Sequence, residues 1–244
     1  MERSDLLRPG GYRIFYDDAL FPPGTDSFLL SAFPHLKPGL RVCDLGSGTG
    51  LLSTLLLQRR PSMTVTGVEL LPDAVRLARR GAEANGLTDR QTFLHGDLRN
   101  IRDLLPAGGF DLVVCNPPYY PAGSGALSAD DSRRAARSET ACTLEDVCRA
   151  AAYLLRWGGS FCLVHKPERL TDLLCALRDH GLEPKRLREV CKTAGAAPSL
   201  ILLEGRRGGK PGLTMETPLI LQKPDGAPIA EVDAIYFRQQ EDMP

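Results

Sequence analysis

The sequence predicts an α/β protein with a Rossmann-like fold: a seven-stranded, mostly parallel sheet with an antiparallel last strand and helices on both faces. Three observations carry this reading. Strand-like and helix-like segments alternate after residue 40, the order that βαβ units impose. Asp44, Glu69, Asp97 and Asn116 fall at or just past the ends of successive strand-like runs, and in open α/β sheets ligands sit outside the carboxyl ends of the strands. At 244 residues and 43% apolar content, the chain can bury one large core without a separate second domain.

The elements follow in order. Residues 1–38 form an N-terminal segment with Gly24-Thr-Asp-Ser-Phe28 ahead of a short helix from Ser27 to Ala32, and this segment is expected to close over a cofactor. Residues 39–244 are then a single domain. Runs at 41–45, 64–69, 91–95 and 110–115 read as strands, each short and soon followed by Gly or Pro. Helices at 50–60 and 72–85 separate the first three. Helices at 143–156 and 168–180 flank a strand at 159–165. No long helix divides 184–191 from 199–204, so those strands pair antiparallel. After about residue 212, Thr217 to Gln222 and Ile235 to Arg238, with Pro218 and the turn Pro224-Asp-Gly226, suggest an edge hairpin or tail. Residues 120–142 make a long loop, and a loop of that length beside a site is more often a lid than filler.

Two motifs carry chemistry. Asp44-Leu-Gly46-Ser-Gly48-Thr-Gly50 joins a strand to a helix, so the backbone can approach a ligand closely beside free helix N–H groups. A nucleotide-like cofactor is implied. Glu69 lies where a dinucleotide enzyme keeps its ribose-binding carboxylate, but Leu51 replaces the third glycine of that fingerprint. The pattern Asp-x-Gly-x-Gly-x-Gly instead matches enzymes that use S-adenosylmethionine. Glu69 would then accept both ribose hydroxyls, Asp97 would accept from the adenine amine, and Leu70 and Leu98 would flank the purine. Asp44 would either meet the donor's amino acid end or orient the glycine turn. Thr25 and Asp26 either close over the methionine part or cap the following helix.

The second motif is Asn116-Pro117-Pro118-Tyr119. A conjugated NH2 is a poor nucleophile because its lone pair is delocalised. The Asn116 side-chain oxygen and the Pro117 carbonyl can both accept from such an amine, aiming its lone pair at a methyl donor. The prolines stiffen the hook, and Tyr119 offers a stacking face. No general base is apparent, and none is required, since the methylated nitrogen is acidic enough to lose its proton to solvent. His35, His95, His165 and His180 lack metal-ligand spacing, so no metal is expected.

Thirty basic and thirty acidic residues cancel, which excludes a globally basic coat but not a local patch. Arg133 and Arg137 follow the hook, and Lys185, Arg186, Arg188, Lys192, Arg206, Arg207 and Lys210 cluster late. That cluster is either a phosphate-binding surface or a set of solvated strand faces. The seven cysteines are scattered without a Cys-x-x-Cys pair, which suits reduced thiols in the cytoplasm rather than disulfides or zinc. No segment reads as a signal core or a membrane span.

The glycine motif, Glu69, Asp97, Asn116-Pro-Pro-Tyr-Tyr120, Ala136-Arg-Ser-Glu139, Cys142-Thr-Leu-Glu-Asp146 and His165-Lys-Pro-Glu-Arg-Leu170 together resemble the bacterial tRNA adenine-N6 methyltransferases that modify the purine beside the anticodon of valine tRNA. Leu182-Glu-Pro-Lys-Arg-Leu187 and Gly24-Thr-Asp26 extend the resemblance over roughly residues 10–240. It implies a class I methyltransferase fold using S-adenosylmethionine. Asp44, Gly46, Glu69, Asp97 and Leu98 would hold the donor, joined by Thr25, Gly48, Gly50 and Leu70. Asn116, Pro117 and Tyr119 would hold the adenine. Tyr120, Arg133, Arg137, Arg186 and Arg206 would meet the tRNA anticodon stem-loop, with no obligatory protein partner and no membrane. Rival readings are methylation of another RNA base, methylation of a protein glutamine by the same kind of hook, and an inactive RNA-binding module.

Overall fold

The computed structural model describes residues 1–17, 24–117 and 142–238. Strands β1 (Glu2–Leu6) and β2 (Arg13–Asp17) form an antiparallel hairpin, a pairing absent from the sequence reading. Its outer strand is largely exposed, so no apolar alternation marks it. Tertiary bonds hold the hairpin to the helix at 72–84: Arg76 and Arg80 pair with Glu2, and Asn85 exchanges two hydrogen bonds of 2.7 Å with the Arg13 backbone.

Helix α1 (Thr25–Ala32) leads into β3 (Arg41–Leu45), α2 (Leu51–Arg59), β4 (Thr64–Glu69), α3 (Pro72–Ala84) and β5 (Gln91–His95). A short α4 (Ile101–Leu104) precedes β6 (Phe110–Cys115). After the undescribed stretch come α5 (Leu144–Leu154), β7 (Leu155–His165), α6 (Leu170–Asp179), β8 (Leu182–Cys191) and β9 (Pro198–Arg207). α5 starts where it does because Thr143 and Asp146 form a reciprocal capping box.

The main sheet has nine described strands rather than the expected seven. The two additions are β10 (Thr214–Met215) and β11 (Leu219–Ile220), two-residue strands laid parallel on the outer edge of β8. β7, β6, β3, β4 and β5 run parallel in that order, and β9 inserts antiparallel between β7 and β8. The antiparallel strand expected late in the chain is therefore an inner one. In the tail, Lys223 to Ala227 closes a small turn. Ile235, however, ends a helix, α7 (Ala230–Ile235), rather than starting a strand. Its Val232 and Ile235 are buried against the sheet's α1 and α2 face, a three-residue apolar spacing that only a helix turns to one side.

Period-two alternation distributes the core. Cys43, Leu45, Val113, Cys115, Phe161 and Leu163 face α5 and α6, whereas Val42, Leu112, Val114, Cys162 and Val164 face α1, α2 and α7. By the same alternation, Asp44 and Asn116 lie on the second face. The chain runs outward from β3 through β4 to β5, then crosses to β6 on the other side of β3. That reversal opens a crevice between the carboxyl ends of β3 and β6.

Candidate active site

The crevice is a cleft of about 160 Å3 lined by residues of α1 (Ser27), β3 (Asp44), the glycine turn (Gly46, Ser47, Gly48) and the segment after β6 (Asn116). The turn owes its shape to glycines in left-handed conformation, with φ of +71° at Gly46 and +83° at Gly50. They do different work. A Cβ on Gly46 would meet nothing within 4 Å, so its backbone faces open space. One on Gly50 would strike the Phe93 ring at 2.7 Å, so that glycine lets α2 pack against β5. The Gly46 and Ser47 N–H groups donate to the Val68 carbonyl at 2.9 and 3.1 Å, tying the turn to the end of β4.

Glu69 is buried and binds two backbone groups. Gly48 N–H donates to Oε2 and Leu71 N–H to Oε1, both at 2.9 Å. It thereby fixes the second glycine of the turn while its remaining lone pairs stay available. Asp44 is 1% exposed, and its Oδ2 accepts from the Ser53 hydroxyl of α2 at 2.7 Å. Its Oδ1 and the Ser47 hydroxyl are buried without a hydrogen-bond partner among the described residues. Burial pushes the Asp44 carboxyl up to about 7; the Ser53 hydrogen bond opposes this and the Glu69 charge adds to it. A cationic group placed at the cleft floor would relieve that cost.

Asn116 follows β6 directly, half-buried, and Pro117 is buried behind it. Asn116 Nδ2 donates to Ser27 Oγ at 3.3 Å. Tyr119, Tyr120, Arg133 and Arg137, with most of the loop at 120–142, lie outside the described residues.

The structure separates other expected site residues by role. Thr25 is the first residue of α1, whose cap position is Gly24, so neither Thr25 nor Asp26 is the cap. Thr25 donates to the Asp26 carboxylate at 3.2 Å. Leu70 and Leu98 are half-buried beside the ends of β4 and β5, brought together because Glu69 pairs with His95. Asp97 is engaged by its own neighbour. Arg99 donates to it from its backbone at 2.9 Å and from its guanidinium at 2.6 to 3.1 Å, which holds the carboxyl below its usual value. An amine ligand there would share Asp97 with Arg99. Motif reading gives no site role to Ser27, Ser47 or Ser53. Ser53 sits three residues past Gly50, where a helix turns its side chain back under the strand end.

The late basic cluster requires a correction. Arg186 is not on a phosphate-facing surface. Its guanidinium is 13% exposed and reaches Glu216 at 2.9 Å and Glu204 at 3.3 Å; it also donates to the Phe33 carbonyl at 2.7 Å and stacks on the Phe33 ring. Alternation along β8 turned it inward, where buried Glu204 also accepts from Ser160. Arg188 pairs bidentately with Glu231. Arg206 remains about half exposed, 3.6 Å from Glu204. Among the described residues no group of His, Cys, Asp and Glu could hold a metal, and all seven cysteines are unpaired, with Cys175 exposed.

Residues 21–174 match the family described as the methyltransferase small domain. A tRNA1(Val) (adenine(37)-N6)-methyltransferase from Porphyromonas gingivalis is 34% identical over 75% of this chain and 73% of its own length. One from Tolumonas auensis is 31% identical over 93% of this chain and 94% of its own. The crystal structure of a predicted O-methyltransferase, protein Atu636 from Agrobacterium tumefaciens, superposes with a TM-score of 0.71 at 22% identity, covering 88% of this chain and 97% of that one. At that identity the likeness is one of fold.

Proposed function

The chain belongs to the methyltransferase small-domain family and, within it, to the tRNA1(Val) (adenine(37)-N6)-methyltransferases, and from that premise we propose that it methylates N6 of adenine 37, beside the anticodon of a valine tRNA. The observation that carries this reading is the meeting of Asn116 with Asp44 and the glycine turn in one cleft at the sheet's switch point.

The methyl donor is S-adenosylmethionine, which when bound supplies an electrophilic methyl group on a sulfonium. The residues present fit it. Gly46 leaves room for close backbone approach, Asp44 Oδ1 offers an unspent polar atom to its cationic amino acid end, and Glu69 keeps acceptor capacity for ribose hydroxyls. Asn116 accepts one N–H of the adenine amine through its side-chain oxygen, and the Pro117 carbonyl accepts the other. Held so, the nitrogen lone pair stays out of the ring plane's conjugation and faces the donor. The product ammonium gives its surplus proton to water. An adenine in an anticodon loop leaves its stack at low cost, which suits a hook that needs the whole base edge. A cytoplasmic location belongs to the same reading. No helix among the described residues is long and apolar enough to cross a membrane.

The test is transfer of labelled methyl from S-adenosylmethionine to an unmodified valine tRNA transcript, with the product nucleoside identified by mass. Label in N6-methyladenosine at position 37 is the expected result. Label in protein alone, or in another base, would replace this reading.

A further inference from the structure

Helices α1 and α2 both start at the cleft and end at a second concavity. This open groove of about 700 Å3 is lined chiefly by His35, Lys37, Gln58, Arg59, Arg60 and Phe237. Among the described residues no carboxylate lines it. In a chain with equal numbers of acids and bases, such a one-sided lining is a local excess of positive charge among the described residues. Elsewhere on the fold Arg76, Arg156, Arg186 and Arg188 each pair with an acid.

Arg59 makes the imbalance chemically specific. Its guanidinium is partly buried and donates to Ser31 Oγ at 2.9 Å and to the Ile235 carbonyl at 2.6 Å, and it stacks on the Phe237 ring at 4.6 Å. All three partners are neutral, and burial pulls its pKa down to about 10. Phe237 holds its ring there with a left-handed φ of +58°, the one positive φ outside glycine among the described residues. A fixed, partly buried cation without a counter-charge among the described residues, beside exposed Lys37 and Arg60, favours an anion that can present several oxygens.

We infer that this groove binds backbone phosphates of the substrate RNA. The inference rests on the tRNA reading above. From Leu51 at the cleft to Arg59 in the groove, α2 rises about 12 Å at 1.5 Å per residue. At about 3.4 Å per stacked nucleotide, that is three to four steps along a strand. A base held at Asn116 would thus place phosphates of the adjoining stem over Lys37, Arg59 and Arg60. The groove would set the arm's position and carry no sequence information.

The test uses the full chain with Lys37→Gln and Arg60→Gln together, leaving Arg59 intact because it also anchors α1 and α7. Binding of an unmodified valine tRNA transcript is measured against salt, and methylation against tRNA concentration. Loss of two phosphate contacts should lower the slope of log Kd against log salt by about 1.4 to 1.8. It should raise KM for tRNA several-fold and leave kcat at saturating tRNA and the affinity for S-adenosylmethionine unchanged. A wild type that methylates the transcript with a variant of identical slope and KM would overturn the inference alone. A wild type that neither binds nor methylates it would overturn the tRNA reading and this inference with it.

Discussion

The cleft between β3 and β6 and the ion cluster on β7, β8 and β9 both bury charge, but they treat it in opposite ways. In the cluster, Glu204 accepts from Ser160 through Oε1, and its Oε2, buried without a hydrogen bond, still has the Arg186 guanidinium as a counter-charge at 3.3 Å; that arginine reaches Glu216 as well. In the cleft, Asp44 has one hydrogen bond, from Ser53, a second oxygen with no partner and no paired cation among the described residues. A folded chain tolerates an unsatisfied buried carboxylate only at a cost. Ligand chemistry resides where the counter-charge is missing: a buried carboxylate matched by an arginine holds structure, and one without a cation is the place a ligand completes.

The sharpest way to break the contrast is Asn116→Ala. Removing the acceptor should lower methyl transfer to tRNA by about 100- to 1000-fold, the range for losing one oriented hydrogen-bonding group in an active site. Donor affinity by calorimetry should change little. Retained turnover would detach Asn116 from the chemistry.

Next in size, Arg186→Glu should cost stability, not binding. It would leave three carboxylates together around a buried position, at about 3–5 kcal/mol. Thermal denaturation should show a lowered Tm, with weakened tRNA binding only to the extent that protein unfolds. A variant with wild-type Tm and reduced tRNA affinity would return Arg186 to the RNA-facing role that its burial denies.

Asp44 gives a pH signature. Its folded-state pKa is raised from 3.8 to about 7, so the folded protein binds the extra proton between those values. Stability should therefore fall as pH rises from about 4 to 7 and then level off. Affinity for the cationic donor should rise through the same upper limit, as the carboxylate ionises and gains a counter-charge. Asp44→Asn should flatten both profiles, as urea denaturation and calorimetry across pH would reveal. The smallest effect is expected for Arg206→Gln, since that side chain is about half exposed. Stability should move by less than about 0.5 kcal/mol, and the salt slope of tRNA binding by at most about one.

Much of the fold was legible because strand and helix periods are local. The strands at 41–45, 64–69, 91–95 and 110–115 coincide with β3, β4, β5 and β6. β7 begins earlier than 159, at Leu155, because Phe110 pairs with Leu155 before a bulge that resets the register at Leu112 and Ser160. β1 and β2 were not legible, since Glu2 and Arg13 are held by α3 and its cap rather than by a pattern of their own. At the cleft, the motifs pointed to Asp44, Gly46, Gly48 and Asn116, which line one cavity, but gave no role to Ser27, which touches Asn116 from a helix 89 residues away in the chain.

Sequence by itself determined the alternation of strands and helices, the glycine turn and the hook after β6, because each depends on residues within a few positions of one another. Only the tertiary structure decided which charges are spent. Arg186 and Arg59 look alike in a row of letters, yet one meets Glu204 and Glu216 while the other, among the described residues, meets only neutral groups. The physical reason is that counter-charges are chosen by packing across distant segments, and no local period records that choice.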